Sequence, residues 1–236
     1  MKIFRTLLNL FAFFLFFSPV FSQNDSSYAK AIAVYSSNAG TNMHLYNGSE
    51  YIDYDHRIKG NPYFAGYGYN TGSIVYDGVL YNNVEMMYDI INDNIIIKNY
   101  NDTALLLVQE KISAFNIAGH NFIRLQTDSL LKEFKISGFY DLLYNGNTKL
   151  LGKYKKTITD KIVTQYAESV FTQKDELHII KNETFYTVSD KKSVLNVLKD
   201  HKAELEKYIR QQKIKFRRNT ADAMVKTIAY YDSLNK

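Results

Sequence analysis

The sequence predicts a mainly β fold, an antiparallel meander, sandwich or half-barrel, with two amphipathic α-helices at its C-terminal end. Tyrosine is frequent, with 20 residues, and it occurs with Ile and Val in short runs that favour half-buried strands. Asn-Gly, Asp-Gly and Asn-Asp pairs separate these runs, as is typical of tight turns between antiparallel strands. We therefore expect a signal peptide at 1–22, an antiparallel β domain at 23–190, and a basic helical segment at 191–236 that packs on it.

The first 22 residues have the pattern of a cleaved secretory signal. Lys2 and Arg5 precede an apolar run at 7–17, and Val20 and Ser22 stand at the −3 and −1 positions of a cleavage site. No later apolar run reaches the roughly 18–20 residues that are needed to cross a membrane. We therefore expect an exported chain without a further transmembrane segment, which is periplasmic, associated with the outer membrane, or secreted.

The sequence contains no cysteine. An exported chain of this composition cannot use disulfides, so its stability must come from a hydrophobic core. The absence of cysteine also excludes thiolate metal sites and cysteine nucleophiles. The length after the predicted signal suits one domain with an appendage, or two small domains.

The clearest strand pattern lies at 72–100. Apolar residues alternate up to Asp77-Gly78, a pair that suits the positive φ angles of a two-residue hairpin turn, and the pattern resumes on the other side. A second turn is expected at Asn92-Asp93-Asn94. This segment predicts a meander of three or four strands.

The motif Leu-Tyr-Asn-Gly occurs at 45–48 and 143–146, with the related Val-Tyr-Asp-Gly at 75–78. Because the intervals are unequal, the motif does not indicate a repeat array, and we expect it to mark strand reversals. The same criteria predict further strands at 31–35, 44–46, 51–54, 105–109, 112–117, 122–125, 139–144, 150–154, 166–171, 177–180 and 184–188.

Residues 55–72 contain four glycines, one proline and four aromatic residues without a clean period. Such a long loop must be packed or used. The ionisable cluster at 53–57 could bind a cation or support acid–base chemistry, or it could simply be a polar strand end. Nearby aromatic rings could stack on a sugar or line an apolar cleft, or they could be half-buried strand residues. The candidate ligand-binding residues of this region are Tyr54, Asp55, His56, Arg57, Tyr63, Phe64, Tyr67 and Tyr69.

Residues 128–136 fit either one helical turn or a strand edge.

Residues 191–236 carry 12 basic and 5 acidic side chains, whereas residues 23–190 carry 15 and 19. Ser189 is the expected N-cap of the first helix, and Asn219 that of the second.

The basic segment could contact an anionic surface or an acidic partner, or it could be a solvated helix face. Nucleic acid is not an expected partner, because exported proteins rarely meet it. The candidate contact residues are Lys207, Arg210, Lys213, Lys215, Arg217 and Arg218.

The sequence indicates no catalytic residue, metal site or cofactor. Its five histidines are scattered, and no pair has the short spacing that places two metal ligands on one face of a helix or strand. It contains no Gly-x-Ser-x-Gly elbow, no phosphate-binding glycine loop and no zinc-protease helix.

Several stretches resemble a group of exported β-rich proteins of Gram-negative bacteria that have no assigned function. They include LYNGSEYIDYDHRIKGNPYF, GSIVYDGVLYNNVEMMYDIINDNIII, AGHNFIRL and GFYDLLYNGNTKLLGKYKK. The resemblance implies an envelope protein with one β domain and C-terminal helices, and it brings no catalytic residues. The expected function is non-enzymatic binding of a partner or of an apolar or glycan ligand in the cell envelope. The alternative is a β-rich hydrolase acting on an envelope polymer.

Overall fold

The structure, a computed structural model, describes residues 44–99, 101–126, 137–163 and 166–235. The predicted signal peptide at 1–22, the predicted strand at 31–35 and the segment 128–136 lie outside the described residues. All elements below belong to the unit Leu45–Lys236.

Eleven strands form one antiparallel sheet in the order β1-β5-β4-β3-β2-β6-β7-β8-β9-β10-β11, which confirms the mainly β prediction. Most neighbours in the sheet are also neighbours in sequence, as in a meander. The strands are β1 (Ser49–Glu50), β2 (Asn70–Tyr76), β3 (Val79–Asp89), β4 (Asn94–Lys98), β5 (Ala104–Leu106), β6 (Ile112–Ile117), β7 (His120–Leu125), β8 (Gly138–Asn145), β9 (Lys149–Val163), β10 (Tyr166–Lys181) and β11 (Thr184–Val188).

Hairpin turns occur at the predicted pair Asp77-Gly78 and also, between β10 and β11, at Asn182-Glu183. Asp77 and Gly78 have φ angles of 53° and 77°, and Asn182 and Glu183 have φ angles of 49° and 60°. Both pairs therefore adopt the left-handed conformation that matches the twist of the flanking strands. Asp93, in the turn between β3 and β4, also has a positive φ of 61°.

Four predicted strands are corrected by the structure. Residues 44–46 form a turn, and residues 51–54 leave the strand conformation after the two residues of β1. The predicted strands at 166–171 and 177–180 are one continuous strand, β10, because every residue of 166–180 has a partner on β9. The Leu-Tyr-Asn-Gly motif reverses the chain between β8 and β9 but, at 45–48, only leads into β1.

Three helices follow the sheet, since the first predicted helix is interrupted by a 3-10 segment at Lys199–His201. Its N-cap is Asp190, not Ser189: the Asp190 carboxylate accepts the backbone N–H of Ser193, whose hydroxyl accepts the N–H of Asp190. Asn219 caps the last helix as predicted, accepting the N–H of Asp222 at 3.0 Å. The helices are α1 (Lys191–Val197), α2 (Lys202–Gln211) and α3 (Thr220–Leu234).

The sheet is strongly curved, since strands far apart in its order approach each other. The backbone N–H of Lys156 on β9 donates to the carbonyl of Ile90, at the end of β3, at 3.0 Å. We call residues 51–69 the strap because their backbone bonds to both β10 and β3. Within the strap, Lys59 exchanges backbone hydrogen bonds with the outer edge of β10, and Phe64 donates its N–H to Tyr88 on β3.

Two large hydrophobic clusters stabilise the fold. The first lies within the curved part of the sheet and contains the aromatic residues Tyr88, Phe115, Phe122 and Phe139. In the second, apolar residues of the three helices pack on Leu150, Ile179 and Val188 of strands β9 to β11. Among the described residues, no helix combines the length and apolar character that crossing a membrane requires.

Candidate functional site

The ionisable residues of the strap do not converge on a common point. Asp55 and Arg57 form an exposed ion pair of 2.5 Å, and hydrogen bonds from Arg57 lower the pKa of Asp55 to about 2. His56 is exposed beside them. Tyr54 turns the other way, because its hydroxyl donates to the fully buried carboxylate of Asp89 at 2.9 Å.

Most aromatic residues of the strap pack within the protein. Tyr63 is 2% exposed, and its hydroxyl donates to Asp53 at 2.9 Å. Phe64 lies against the first core cluster, with its ring 5.1 Å from that of Phe122. Tyr69 packs against a small cluster that contains Tyr63. Tyr67 is 62% exposed but donates its hydroxyl to the strap's own backbone, at Gly60. A ligand at the strap therefore stays a prediction.

The basic segment, in contrast, forms a recess beside the C-terminal end of α2. Backbone hydrogen bonds at this helix end determine the direction of the link that follows. Lys213 has a φ of 52°, its N–H donates to the carbonyl of Arg210, and the N–H of Ile214 donates to the carbonyl of Ile209 at 3.0 Å. These bonds define a Schellman motif, in which a hydrophobic contact commonly joins the residues corresponding to Ile214 and Ile209. The helix end thus directs the apolar side chains of the following link back toward α2.

We call the resulting recess the helix groove; its volume is about 800 Å³, within the usual range of small-molecule sites, roughly 300–1,000 Å³. Leu195 of α1 and Ile209 of α2 are buried, whereas Ile214 and Phe216 of the link are half-buried. Polar and charged side chains complete the lining: Asp190, Lys191, Lys192, Asn196, Lys202, Glu206, Lys215, Arg217 and Arg218.

The helix groove contains half of the predicted basic contact residues. Lys215, Arg217 and Arg218 line it. Arg210 and Lys213 line an adjoining recess that shares Ile209 and Ile214 with the groove. Lys207 is exposed on α2 and does not belong to the groove lining.

The apolar floor and the three lysines contributed by α1 and α2 were not predicted from the sequence. The signal that could have revealed part of the floor is the alternation of apolar and basic residues at 213–218, in which Ile214 and Phe216 are two positions apart. In the structure the link is not extended throughout, because residues 216–218 form a turn.

A second candidate site is a histidine–carboxylate pair whose residues lie 21 positions apart in the sequence. Nδ1 of His120, at the start of β7, lies 2.6 Å from the carboxylate of Asp141 on β8. Asp141 is buried and also accepts the hydroxyl of Tyr154 at 3.0 Å. About 40% of the His120 side chain is exposed, and Phe64 packs edge-on against its ring. A carboxylate that orients one imidazole nitrogen leaves the other available for proton transfer.

Among the described residues, no group of three His, Asp or Glu side chains is placed to hold a metal ion. Comparisons of the chain with protein-family models, with curated proteins and with solved structures find no match.

Proposed function

We propose that this chain is an exported, non-enzymatic binding protein of the cell envelope that receives the apolar part of a ligand in the helix groove. The observation that supports the proposal is the groove's floor: Leu195, Ile209, Ile214 and Phe216 face one recess of about 800 Å³. Concave sites with a mainly apolar floor and a few polar groups are the usual form of small-molecule sites.

The scaffold around the groove is suited to holding it open. Leu205 and Ile209 on one face of α2, and Met224 and Ile228 on one face of α3, belong to the cluster that anchors the helices to the sheet. Ile209 contributes to both the anchor and the floor, so the groove rests on a packed layer. Binding therefore requires little reorganisation of the helices.

Replacing Phe216 by aspartate should remove most ligand binding. The wild-type protein is expected to bind a neutral, polarity-sensitive dye such as Nile red with a blue-shifted emission. The variant should bind the dye at least about tenfold more weakly, since burial of a phenylalanine ring contributes about 1.5–3 kcal/mol. Fluorescence titration of the native protein measures both affinities.

The matched control is Ile162→Asp, since Ile162 is an apolar side chain on β9 that is 87% exposed and lies outside the groove lining. This variant should bind the dye as the wild type does. Absence of dye binding by the wild type, or equal loss in both variants, would contradict the proposal. Mass spectrometry of the protein purified without detergent provides an independent check, since a co-purified amphiphile is expected.

A β-rich hydrolase acting on an envelope polymer is the second candidate, and the His120–Asp141 pair is the observation that favours it. In this function the free nitrogen of His120 would act as a general base toward water, with the buried Asp141 holding the ring in place. Tyr154 shares the carboxylate and would limit its movement.

The hydrolase candidate predicts that His120→Gln lowers turnover of a purified envelope glycan by about 10²–10⁴-fold, which is the usual contribution of a positioned general base. The release of reducing ends measures the rate. His56→Gln is the control, because His56 is exposed on the strap and lies outside the pair. No release by the wild-type protein above a buffer blank, or equal rates in both variants, would remove this candidate.

A further inference from the structure

We propose that the ligand of the helix groove is a monomeric amphiphile with an anionic head group of the phosphate type, an inference that rests on the proposed function. Six basic side chains and two carboxylates line the groove. The basic residues come from three elements, α1, α2 and the link that follows α2, so positive charge surrounds the apolar floor. They are Lys191, Lys192, Lys202, Lys215, Arg217 and Arg218.

The cations of the groove are not held in close ion pairs by the acids that the structure describes. Within the described part of the chain, none of the six lies within ion-pair distance of a carboxylate. Elsewhere in residues 191–235, Lys226 lies 2.9 Å from Asp222. The other basic residues outside the groove also lack an ion pair with a described carboxylate; they are Lys199, Lys207, Arg210 and Lys213. The groove and its adjoining recess, which Arg210 and Lys213 line, therefore hold most of the unpaired positive charge of the described helical segment.

The two carboxylates of the lining offset only part of this charge, because six basic side chains line the same recess. Asp190 caps α1 and accepts the N–H of Ser193 at 2.7 Å, so its lone pairs are partly engaged in the helix cap. Glu206, on α2, is the other acidic residue of the lining. An anionic ligand would thus meet a field that is positive overall and strengthened by the apolar floor beneath it.

The chemistry of the lining favours phosphate over a neutral head group. Arg217 and Arg218 are adjacent, and guanidinium groups bind phosphate oxygens through paired, charge-assisted hydrogen bonds. The lysines supply further donors without a fixed geometry. A neutral glycan head would leave this charge uncompensated. The recess also favours a single molecule over the surface of a bilayer, because its apolar floor lies within a concave site.

Isothermal titration with two amphiphiles that share a twelve-carbon chain tests the inference, each used below its critical micelle concentration. Dodecyl phosphate is expected to bind at least about tenfold more tightly than dodecyl maltoside, because several charge-assisted contacts to the phosphate act together. The preference should shrink in 0.5 M NaCl, at which exposed charges are screened over a few ångströms.

The double variant Arg217→Gln/Arg218→Gln should lose about tenfold in affinity for dodecyl phosphate and keep its affinity for dodecyl maltoside. Its control is Lys207→Gln/Lys199→Gln, which removes the same charge from exposed positions outside the groove lining. The control should leave both affinities unchanged. Equal losses in the two double variants would show a general charge effect and overturn the inference.

The remaining outcomes separate this inference from the proposed function. Equally tight binding of both amphiphiles would refute the anionic head group and leave the binding function in place. Failure of both amphiphiles to bind would refute the binding function itself. Binding to phosphatidylglycerol vesicles that depends on Arg217 and Arg218, with no binding of monomeric dodecyl phosphate, would replace the monomeric ligand by a membrane surface.

Discussion

Replacing Asp93 by alanine is expected to lower the free energy of unfolding by about 3–5 kcal/mol, because it leaves the buried ammonium group of Lys153 without its counter-ion. Lys153 is only 4% exposed, and its Nζ lies 2.8 Å from both carboxylate oxygens of Asp93. Burial lowers the pKa of Lys153, and the charge of Asp93 opposes this shift. Urea unfolding followed by circular dichroism measures the loss.

The effect is large because one carboxylate joins distant parts of the sheet. Asp93 lies in the turn between β3 and β4, whereas Lys153 belongs to β9, and the two strand regions are not neighbours in the sheet. The same carboxylate accepts the hydroxyl of Tyr88 at 2.5 Å and the backbone N–H of Phe139 at 3.0 Å. Its removal therefore leaves the Tyr88 hydroxyl and the Phe139 N–H without this acceptor, and leaves Lys153 with only its hydrogen bond to the Phe139 carbonyl at 2.8 Å.

Two further variants test the cause. Asp102→Ala removes a carboxylate from the exposed pair with Lys98 and should change the free energy of unfolding by less than about 1 kcal/mol. Asp93→Ala combined with Lys153→Met should recover part of the loss, because the uncompensated charge is gone. A double variant that is less stable than Asp93→Ala would contradict the proposed cause.

Replacing Phe122 by alanine should cost about 3–5 kcal/mol of the free energy of unfolding, the usual range for a buried phenylalanine. Phe122 is 1% exposed, and its ring stacks on that of Phe115 with a centroid distance of 4.7 Å. The rings of Tyr88 and Phe64 approach its edge or face, each at 5.1 Å. Truncation would leave a cavity that these rigid rings cannot fill.

The matched control is Tyr166→Ala, because Tyr166 is an aromatic strand residue that is 61% exposed. Its loss should stay within about 0.5–1 kcal/mol, in line with surface substitutions. The midpoint of urea unfolding gives both values. Similar losses in the two variants would show that the cluster around Phe122 is not the main core of the curved sheet.

Local chemistry explains why much of the fold is predictable. The pair Asp77-Gly78 reverses the chain because both residues tolerate positive φ, a property of neighbouring residues that a sequence displays directly. The cap at Asn219 is equally local, since the residue that it bonds lies three positions away. Ser189 and Asp190 are both good caps, and only the observed bonds to Ser193 distinguish them.

The mainly β class, the positions of most turns, the C-terminal helices and the concentration of basic residues near them followed from the sequence by itself. Tertiary structure alone decided the pairs His120–Asp141 and Asp93–Lys153, which lie 21 and 60 residues apart, and the floor of the helix groove. The physical reason is that periodicity and turn chemistry act over a few residues. Which distant side chains meet depends on strand register and sheet curvature, which the packing of the whole core determines.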